Sequence, residues 1–172
     1  SLYNIFENKP DPLIERSLRL EVDERVRADG EILRAVDPEE VRVLLRKLKA
    51  ENVEAVAVCF LFSFLNPENE RVAERCIKEE WPEAYVSLSS AILPEFREFE
   101  RLSTTVINAY LGPRMKLYID NLRRRVREAG IAVSPYITQS NGGVMSIGST
   151  IETPVQTALS GPSAGVVGAI YV

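Results

Sequence analysis

The pattern of apolar and polar positions in the first half of the chain predicts strands that alternate with helices. Residues 18–22 alternate between leucine or valine and charged side chains, the period of a half-buried strand. Residues 53–60 are almost continuously apolar, as in a strand buried on both faces of a parallel sheet. Asp37 and Asn66 each precede a proline and an apolar stripe at helical spacing, so a helix is predicted to begin at each. A further strand at 84–88 completes a βαβαβ order, with a turn at a glycine between the first strand and the first helix.

The second half of the chain predicts two helices, short strands and the start of a last helix. Apolar residues at helical spacing predict one helix that the Gly-Pro pair at 112–113 breaks, and a second helix that ends at Gly130. Short strands are predicted at 136–139 and at 155–159, each followed by small and polar residues. The chain stops at Val172 within an apolar run that lacks a capping residue, which indicates a piece of a longer protein.

These elements define one α/β segment with a mostly parallel sheet and packed helices. Residues 1–90 are expected to form the βαβαβ part, and residues 91–172 the helical pair, the short strands and the start of a connecting helix. The strands at 53–60, 84–88 and 136–139 are expected to belong to one sheet.

Composition excludes several classes of function. The net charge of −4, with both signs interspersed, gives no basic patch, so nucleic acid is not an expected partner. No apolar stretch is long enough to span a bilayer and no signal peptide opens the chain. A cytoplasmic location is expected, because two cysteines within apolar patterns fit a reducing compartment. The sequence contains no histidine, which rules out histidine-based catalysis and histidine metal ligands in this stretch. Cys59 and Cys76 lie in apolar patterns and are expected to be buried thiols, with no metal site.

Two stretches of small residues are candidate ligand loops. The first would bind substrate through Gln139, Ser140, Asn141, Gly142 and Gly143, and the second would bind a cofactor through Ser160, Gly161 and Gly165. Small side chains let the backbone approach a ligand, and the first N–H groups of a helix attract anions. The alternatives are an ordinary turn for the paired glycines and close helix packing for the second stretch. If both stretches bind ligands, they are expected to face one cleft.

An arginine pair is a further candidate for substrate binding. Arg97 and Arg101 are one helical turn apart and would hold a carboxylate or phosphate if both faced the same way. Glu98 and Glu100 lie beside them, so ordinary surface ion pairs explain the same spacing equally well.

Taken together, the chain resembles the hydantoinase A/oxoprolinase family over essentially its whole length. The matching stretches are KP…ERV at 9–26, VEAVAVCFLFSFLNPENE at 53–70, SLSSAILPEFREFERLSTTVINAYLGP at 87–113, TQSNGG at 138–143 and SGPSAGVVGA at 160–169. Members of the family usually carry NPxHE, whereas this chain has Asn69 in place of the histidine. We expect the role of that position to be structural, such as capping near a helix start.

The resemblance implies a segment of an actin-like ATPase fold, built from ribonuclease-H-like lobes. It implies an ATP-dependent hydrolase that opens hydantoin-like or oxoproline-like rings, with ATP and magnesium as cofactors and a hydantoinase B-type subunit as partner. Phosphorylation of the amide oxygen would make the ring carbon electrophilic. The two acidic-glycine loops that hold ATP in such folds are absent from residues 1–172. We therefore expect this segment alone to fold but to be inactive and to bind no cofactor tightly, and we assign no catalytic residue.

The resemblance leaves two other functions open. One is a subunit of an acetone or acetophenone carboxylase. The other is a non-catalytic module in which the helices from about residue 94 to 130 dock a partner subunit. A large exposed apolar face on those helices would favour docking, and an enclosed groove lined by Arg97, Ser140 and Gly143 would favour catalysis.

Overall fold

The computed structural model describes residues 11–170 and shows an α/β chain. The opening residues of the chain and its end at Val172 lie outside this range. The strands are β1 (Arg25–Val26), β2 (Ile32–Arg34), β3 (Ala55–Val58), β4 (Tyr85–Leu88), β5 (Tyr136–Thr138) and β6 (Val144–Ser146). The helices are α1 (Pro38–Ala50), α2 (Glu68–Glu80), α3 (Ser89–Ile92), α4 (Glu98–Glu128), α5 (Ile147–Glu152) and α6 (Ser160–Ile170). None of these described helices has the length and apolar character needed to cross a membrane.

The strands pair in three two-stranded sheets. β3 and β4 are parallel, in register from Ala55 opposite Tyr85 to Val58 opposite Leu88, as the first half of the sequence predicts. The pairs β1–β2 and β5–β6 are antiparallel. The prediction that β5 joins β3 and β4 is therefore wrong, and the described residues form no single, mostly parallel sheet. The reason is local, because a tight turn at Gly142 returns the chain at once and gives β5 a neighbouring partner.

The strand predicted at 18–22 is also wrong. Arg16–Leu18 forms a turn of 3-10 helix, and the residues between it and β1 have no regular secondary structure. Val22 nevertheless packs against the main core, so the alternating pattern reports burial without strand pairing. The predicted turn at Gly30 is confirmed: its φ is +87° and its N–H donates to the carbonyl of Arg27 at 2.9 Å.

α1 and α2 begin where the sequence predicts. The side chain of Asp37 accepts a hydrogen bond from the N–H of Glu39 at 2.9 Å, and that of Asn66 accepts from the N–H of Glu68 at 3.1 Å. Both helices pack on one face of β3–β4 and enclose the main core. Its buried residues are Val36, Val41, Leu45, Val58, Ala73, Cys76, Ile77, Trp81 and Leu88. Both cysteines are free thiols; Cys76 is buried as predicted, and Cys59 is half-buried.

α4 covers the opposite face of β3–β4 as one helix of 31 residues. The prediction of a break at 112–113 is wrong, and so is the prediction of two separate helices. Pro113 removes only one backbone donor, and the helix is supported by packing against β3, β4, α3 and α5. The strand predicted at 155–159 is wrong as well, because Pro154–Thr157 forms a 3-10 turn. The N–H of Val155 donates there to the side chain of Asn108 on α4, so this backbone is satisfied without a sheet.

Tyr85 and Asn108 hold the end of α5 in place. The ring of Tyr85 from β4 lies on the backbone of α4 at Gly112. Its hydroxyl donates to the carbonyl of Ile151 at 2.7 Å and lies 3.0 Å from that of Glu152. Asn108 donates to the same carbonyl of Glu152 at 3.1 Å. The end of α5 is therefore held against the sheet through α4.

Candidate functional site

A buried carboxylate lies at the carboxyl end of β3. Glu70 on α2 has no exposed surface, and its two oxygens accept four hydrogen bonds. Oε1 accepts from the N–H of Phe60 at 3.0 Å and from the hydroxyl of Ser89 at 2.5 Å. Oε2 accepts from the N–H and the hydroxyl of Ser90 at 2.9 and 2.7 Å. The carboxylate thus connects the residues that follow β3 to those that follow β4.

A buried guanidinium completes this cluster. Arg101 on α4 is 1% exposed and donates to the carbonyl of Phe60 at 2.9 Å and to the hydroxyl of Ser63. The hydroxyls of Ser63 and Ser89 are 3.1 Å apart, so two serines bridge the guanidinium and the carboxylate. The guanidinium also lies 5.4 Å from the ring centre of Phe64. Its Nε is buried without a hydrogen-bond partner among the described residues.

This cluster, which we name the β3-exit cluster, consists of Phe60, Ser63, Glu70, Ser89 and Arg101. The carboxylate of Glu70 binds the N–H of Phe60, and the guanidinium of Arg101 binds its carbonyl. These two hydrogen bonds fix the backbone where the chain leaves β3. The cluster lies at the carboxyl ends of parallel strands, the edge at which open α/β sheets bind ligands. Among its residues, the sequence indicated only Arg101. Glu70 stands in the NPENE stretch of the family resemblance, and that was the available signal for it.

Cys59 lies beside the β3-exit cluster. Burial raises the pKa of its thiol, and a hydrogen bond with Ser89 and the charge of Arg101 lower it by less. The neutral thiol is therefore favoured, which argues against a thiolate nucleophile at this position.

The predicted arginine pair does not form. Arg97 precedes the first turn of α4, and its side chain is 64% exposed, 3.9 Å from the carboxylate of Glu100. Arg101 points into the protein and is used by the β3-exit cluster. The two side chains face different ways because residue 97 is not helical, so helical spacing does not apply to it. Arg97 therefore takes part in a surface ion pair with Glu100, which was the alternative that the sequence left open.

The stretch from Gln139 to Gly143 is the loop of the β5–β6 hairpin. The N–H of Gln139 donates to the carbonyl of Gly143 at 2.8 Å, and the side chain of Asn141 accepts from the N–H of Gly143 at 2.9 Å. Gly142 has φ +84°, so this glycine carries the left-handed conformation that the turn requires. The turn interpretation is confirmed, and substrate binding by this loop stays a prediction.

The second candidate stretch is not a loop after a strand, because Ser160 is the first residue of α6. It does lie against the hairpin loop: the hydroxyl of Ser163 donates to the carbonyl of Ser140, and the N–H of Leu159 donates to the hydroxyl of Ser140 at 3.2 Å. A Cβ added at Gly161 or Gly165 would meet nothing within 4 Å. Close helix packing therefore does not explain these glycines among the described residues. Cofactor binding there stays a prediction.

The Asn69 side chain links three segments and has a structural role. It is buried, and its Oδ1 accepts from the N–H of Val36 at 3.3 Å. Its Nδ2 donates to the carboxylate of Glu24 at 2.7 Å and to the carbonyl of Arg34 at 3.1 Å. The side chain therefore ties α2 to the β1–β2 hairpin, while Asn66, just before the N-cap Pro67, accepts from the first N–H of α2.

Comparison with known proteins places the chain in a family. Residues 1–81 match the hydantoinase/oxoprolinase N-terminal region, and residues 101–172 match the hydantoinase/oxoprolinase domain. The chain belongs to the hydantoinase/oxoprolinase family, as its sequence motifs indicated.

Relatives within the family differ in activity. The chain is 34% identical to the acetophenone carboxylase gamma subunit of Aromatoleum aromaticum, over 96% of this chain and 23% of that one. It is 32% identical to the 5-oxoprolinase of Saccharomyces cerevisiae, over 81% of this chain and 11% of that one. The crystal structure of the ATP-dependent caprolactamase of Pseudomonas jessenii superposes with a TM-score of 0.86 at 30% identity, over 94% of this chain and 23% of that one. The chain thus spans at most about a quarter of the length of these relatives.

Proposed function

We propose that the chain is a segment of an ATP-dependent enzyme that opens the ring of a cyclic amide related to hydantoin or oxoproline. The observation that carries the proposal is the match to the ATP-dependent caprolactamase, in which nearly the whole chain superposes at 30% identity. A lactam amide is stabilised by resonance that is lost when a nucleophile attacks, so coupling to ATP is chemically reasonable. We expect the complete enzyme to have the actin-like ATPase architecture and to be cytoplasmic.

ATP and magnesium are the cofactors that we propose for the complete enzyme. The described residues contain no group of three or more histidine, cysteine, aspartate or glutamate residues placed to hold a metal. We propose that ATP and magnesium are held by acidic-glycine loops elsewhere in the longer protein. In that arrangement Ser160, Gly161 and Gly165 would contribute the exposed backbone at the start of α6. The 172-residue chain alone is then expected to show no turnover.

A carboxylase subunit is the second candidate, supported by the acetophenone carboxylase relative at 34% identity. One assay on the full-length protein, with its partner subunit, separates the two. It is incubated with ATP, magnesium and either a cyclic amide (hydantoin, 5-oxoproline or caprolactam) or a ketone with bicarbonate. Ring-opened product with ADP or AMP supports the hydrolase. Carboxylated ketone supports the carboxylase, and neither product would reject both.

The candidate ligand residues can be tested in the same assay. Gly161→Leu and Gly165→Leu place side chains into space that this chain leaves open, so they should leave the fold of this segment intact. A loss of turnover of about tenfold or more, with an unchanged melting temperature, is expected if ligand approaches this surface. Unchanged turnover in both variants would remove these glycines from the site.

A docking role for α4 is supported by its exposed apolar residues. Phe99, Tyr110 and Leu117 lie on one side of the helix and are 78%, 71% and 66% exposed in the described chain. A face of this kind marks a contact with other protein. We propose that it contacts either the remainder of the polypeptide or a hydantoinase B-type subunit. Tyr110→Glu in the full-length protein should release the partner in analytical ultracentrifugation if the contact is between subunits, and Leu33→Glu, on the exposed side of β2, is the control.

A further inference from the structure

The side-chain amide of Asn141 is exposed in the loop of the β5–β6 hairpin. Its Oδ1 accepts from the N–H of Gly143 at 2.9 Å, whereas its Nδ2 donates to none of the described residues. Other asparagine side chains are tied into the fold through their amide nitrogens: those of Asn66, Asn69 and Asn108. The Nδ2 of Asn141 is therefore open to solvent and held by no contact of the described chain.

The residue that follows Asn141 makes this amide chemically vulnerable. A peptide nitrogen can attack the side-chain carbonyl carbon of an asparagine that precedes it. The attack is least hindered when the nitrogen belongs to glycine, which has no Cβ. Asn141 and Gly142 are the one asparagine–glycine pair among the 172 residues, and they lie at the tip of a surface hairpin, where the backbone is most free to move.

We propose that Asn141 is a modification site, at which the side-chain amide is lost through a cyclic imide formed with Gly142. The nitrogen of Gly142 gives up its proton and forms a bond to Cγ of Asn141, the bond from Cγ to Nδ2 breaks, and ammonia leaves. Water then opens the imide at either of its two carbonyl groups. One opening gives aspartate, and the other gives isoaspartate, in which the main chain runs through the former side chain. Both products add a negative charge to the loop, and the only co-reactant is water.

The hairpin turn determines when this reaction occurs and what it disturbs. The N–H of Gly142 donates to the carbonyl of Gln139 at 3.1 Å, so the turn must open locally before the nitrogen can attack. Aspartate keeps an oxygen that can accept from the N–H of Gly143, whereas isoaspartate lengthens the main chain within the turn. The hydroxyl of Ser140 accepts from the N–H of Leu159, so isoaspartate would also disturb the contact between this loop and the start of α6. This inference is independent of the proposed catalytic activity.

Peptide mass spectrometry of the full-length protein, incubated at neutral pH, tests the proposal. Asn52 is the control within the same sample: it is also exposed in a turn and has a positive φ, but it precedes Val53, whose branched side chain hinders the attack. The amide of Asn141 should be lost at least about tenfold faster than that of Asn52, a difference of about 1.4 kcal/mol in the barrier. Equal rates at the two positions would overturn the proposal.

The identity of the product separates the imide route from direct hydrolysis of the amide. Fragmentation by electron transfer distinguishes aspartate from isoaspartate, and the imide route gives both, whereas direct hydrolysis gives aspartate alone. Aspartate without isoaspartate at position 141 would therefore overturn the proposal. Asn141→Gln keeps an exposed amide but needs a larger ring for the same attack, so it should slow the loss at this position and leave the rate at Asn52 unchanged. An undiminished rate in this variant would also contradict the mechanism.

Discussion

Gly112 lies in the middle of α4 where the ring of Tyr85 rests on the helix backbone. A Cβ added at this glycine would lie 2.2 to 2.4 Å from three ring atoms of Tyr85. Carbon atoms pack at about 3.5–4.0 Å, so Gly112→Ala must displace the ring by more than about 1 Å. The displaced ring would give up the hydrogen bond from its hydroxyl to the carbonyl of Ile151, which is 2.7 Å long.

The magnitude follows from three contributions. Overpacking at a well-packed position costs about 1–3 kcal/mol. The lost hydrogen bond of Tyr85 costs about 1 kcal/mol more. Alanine in a helix gains about 1 kcal/mol over glycine, which offsets part of the loss. We therefore expect Gly112→Ala to lower the free energy of unfolding by about 1–3 kcal/mol.

The measurement is urea unfolding of the 172-residue chain followed by circular dichroism. Gly165→Ala in α6 is the matched control, because its added Cβ meets nothing within 4 Å, and it should be neutral or slightly stabilising. In a Tyr85→Ala background the clash is gone, so Gly112→Ala should change sign and become neutral or stabilising by up to about 1 kcal/mol. If Gly112→Ala is as stable as the wild-type chain, or equally harmful without the ring, the steric explanation is wrong.

Three further predictions concern the buried polar groups. Arg101→Met should lower the free energy of unfolding by about 3–5 kcal/mol, because it leaves the buried carboxylate of Glu70 without its countercharge. Arg97→Met, at an exposed position, should change it by less than about 0.5 kcal/mol in the same urea titration. Equal effects would contradict the role of Arg101 in the β3-exit cluster. Asn69→Leu should lower the free energy of unfolding by about 2–4 kcal/mol, because it leaves buried polar groups unpaired. Asn69→His should lower it by less, because imidazole can both accept and donate a hydrogen bond. A histidine variant that is no more stable than the leucine variant would argue against this. Burial raises the pKa of Glu24 above its usual 4.5, more than the hydrogen bond from Asn69 lowers it. The folded state therefore binds the carboxyl proton of Glu24 more tightly than the unfolded state does. The stability that this protonation contributes is present below pH 4.5 and is lost as the pH rises through the raised pKa. Glu24→Gln should therefore flatten that fall in a stability–pH profile, and an unchanged slope would contradict the burial argument.

Local signals in the sequence were sufficient to predict the elements whose ends depend only on neighbouring residues. Asp37 and Asn66 start their helices as predicted because a side-chain cap acts within three residues. The apolar run at 53–60 indicated β3 and its parallel pairing, since only a strand covered on both faces needs apolar side chains on both. The family was also readable from the order and spacing of the motifs, which the comparisons confirmed.

Tertiary packing decided the features in which distant residues compete. A glycine and a proline at 112–113 signal a helix end, yet the helix continues because Tyr85, far away in sequence, occupies the space that Gly112 leaves. Arg97 and Arg101 looked equivalent by spacing, but the polar groups after β3 and β4 fixed only Arg101 in the interior. The NPENE stretch marked the position of Glu70 but not its role, because its four hydrogen bonds come from residues that only folding brings together. A pattern along the chain reports what each residue prefers, whereas a buried charge is stable only where the fold supplies its partners.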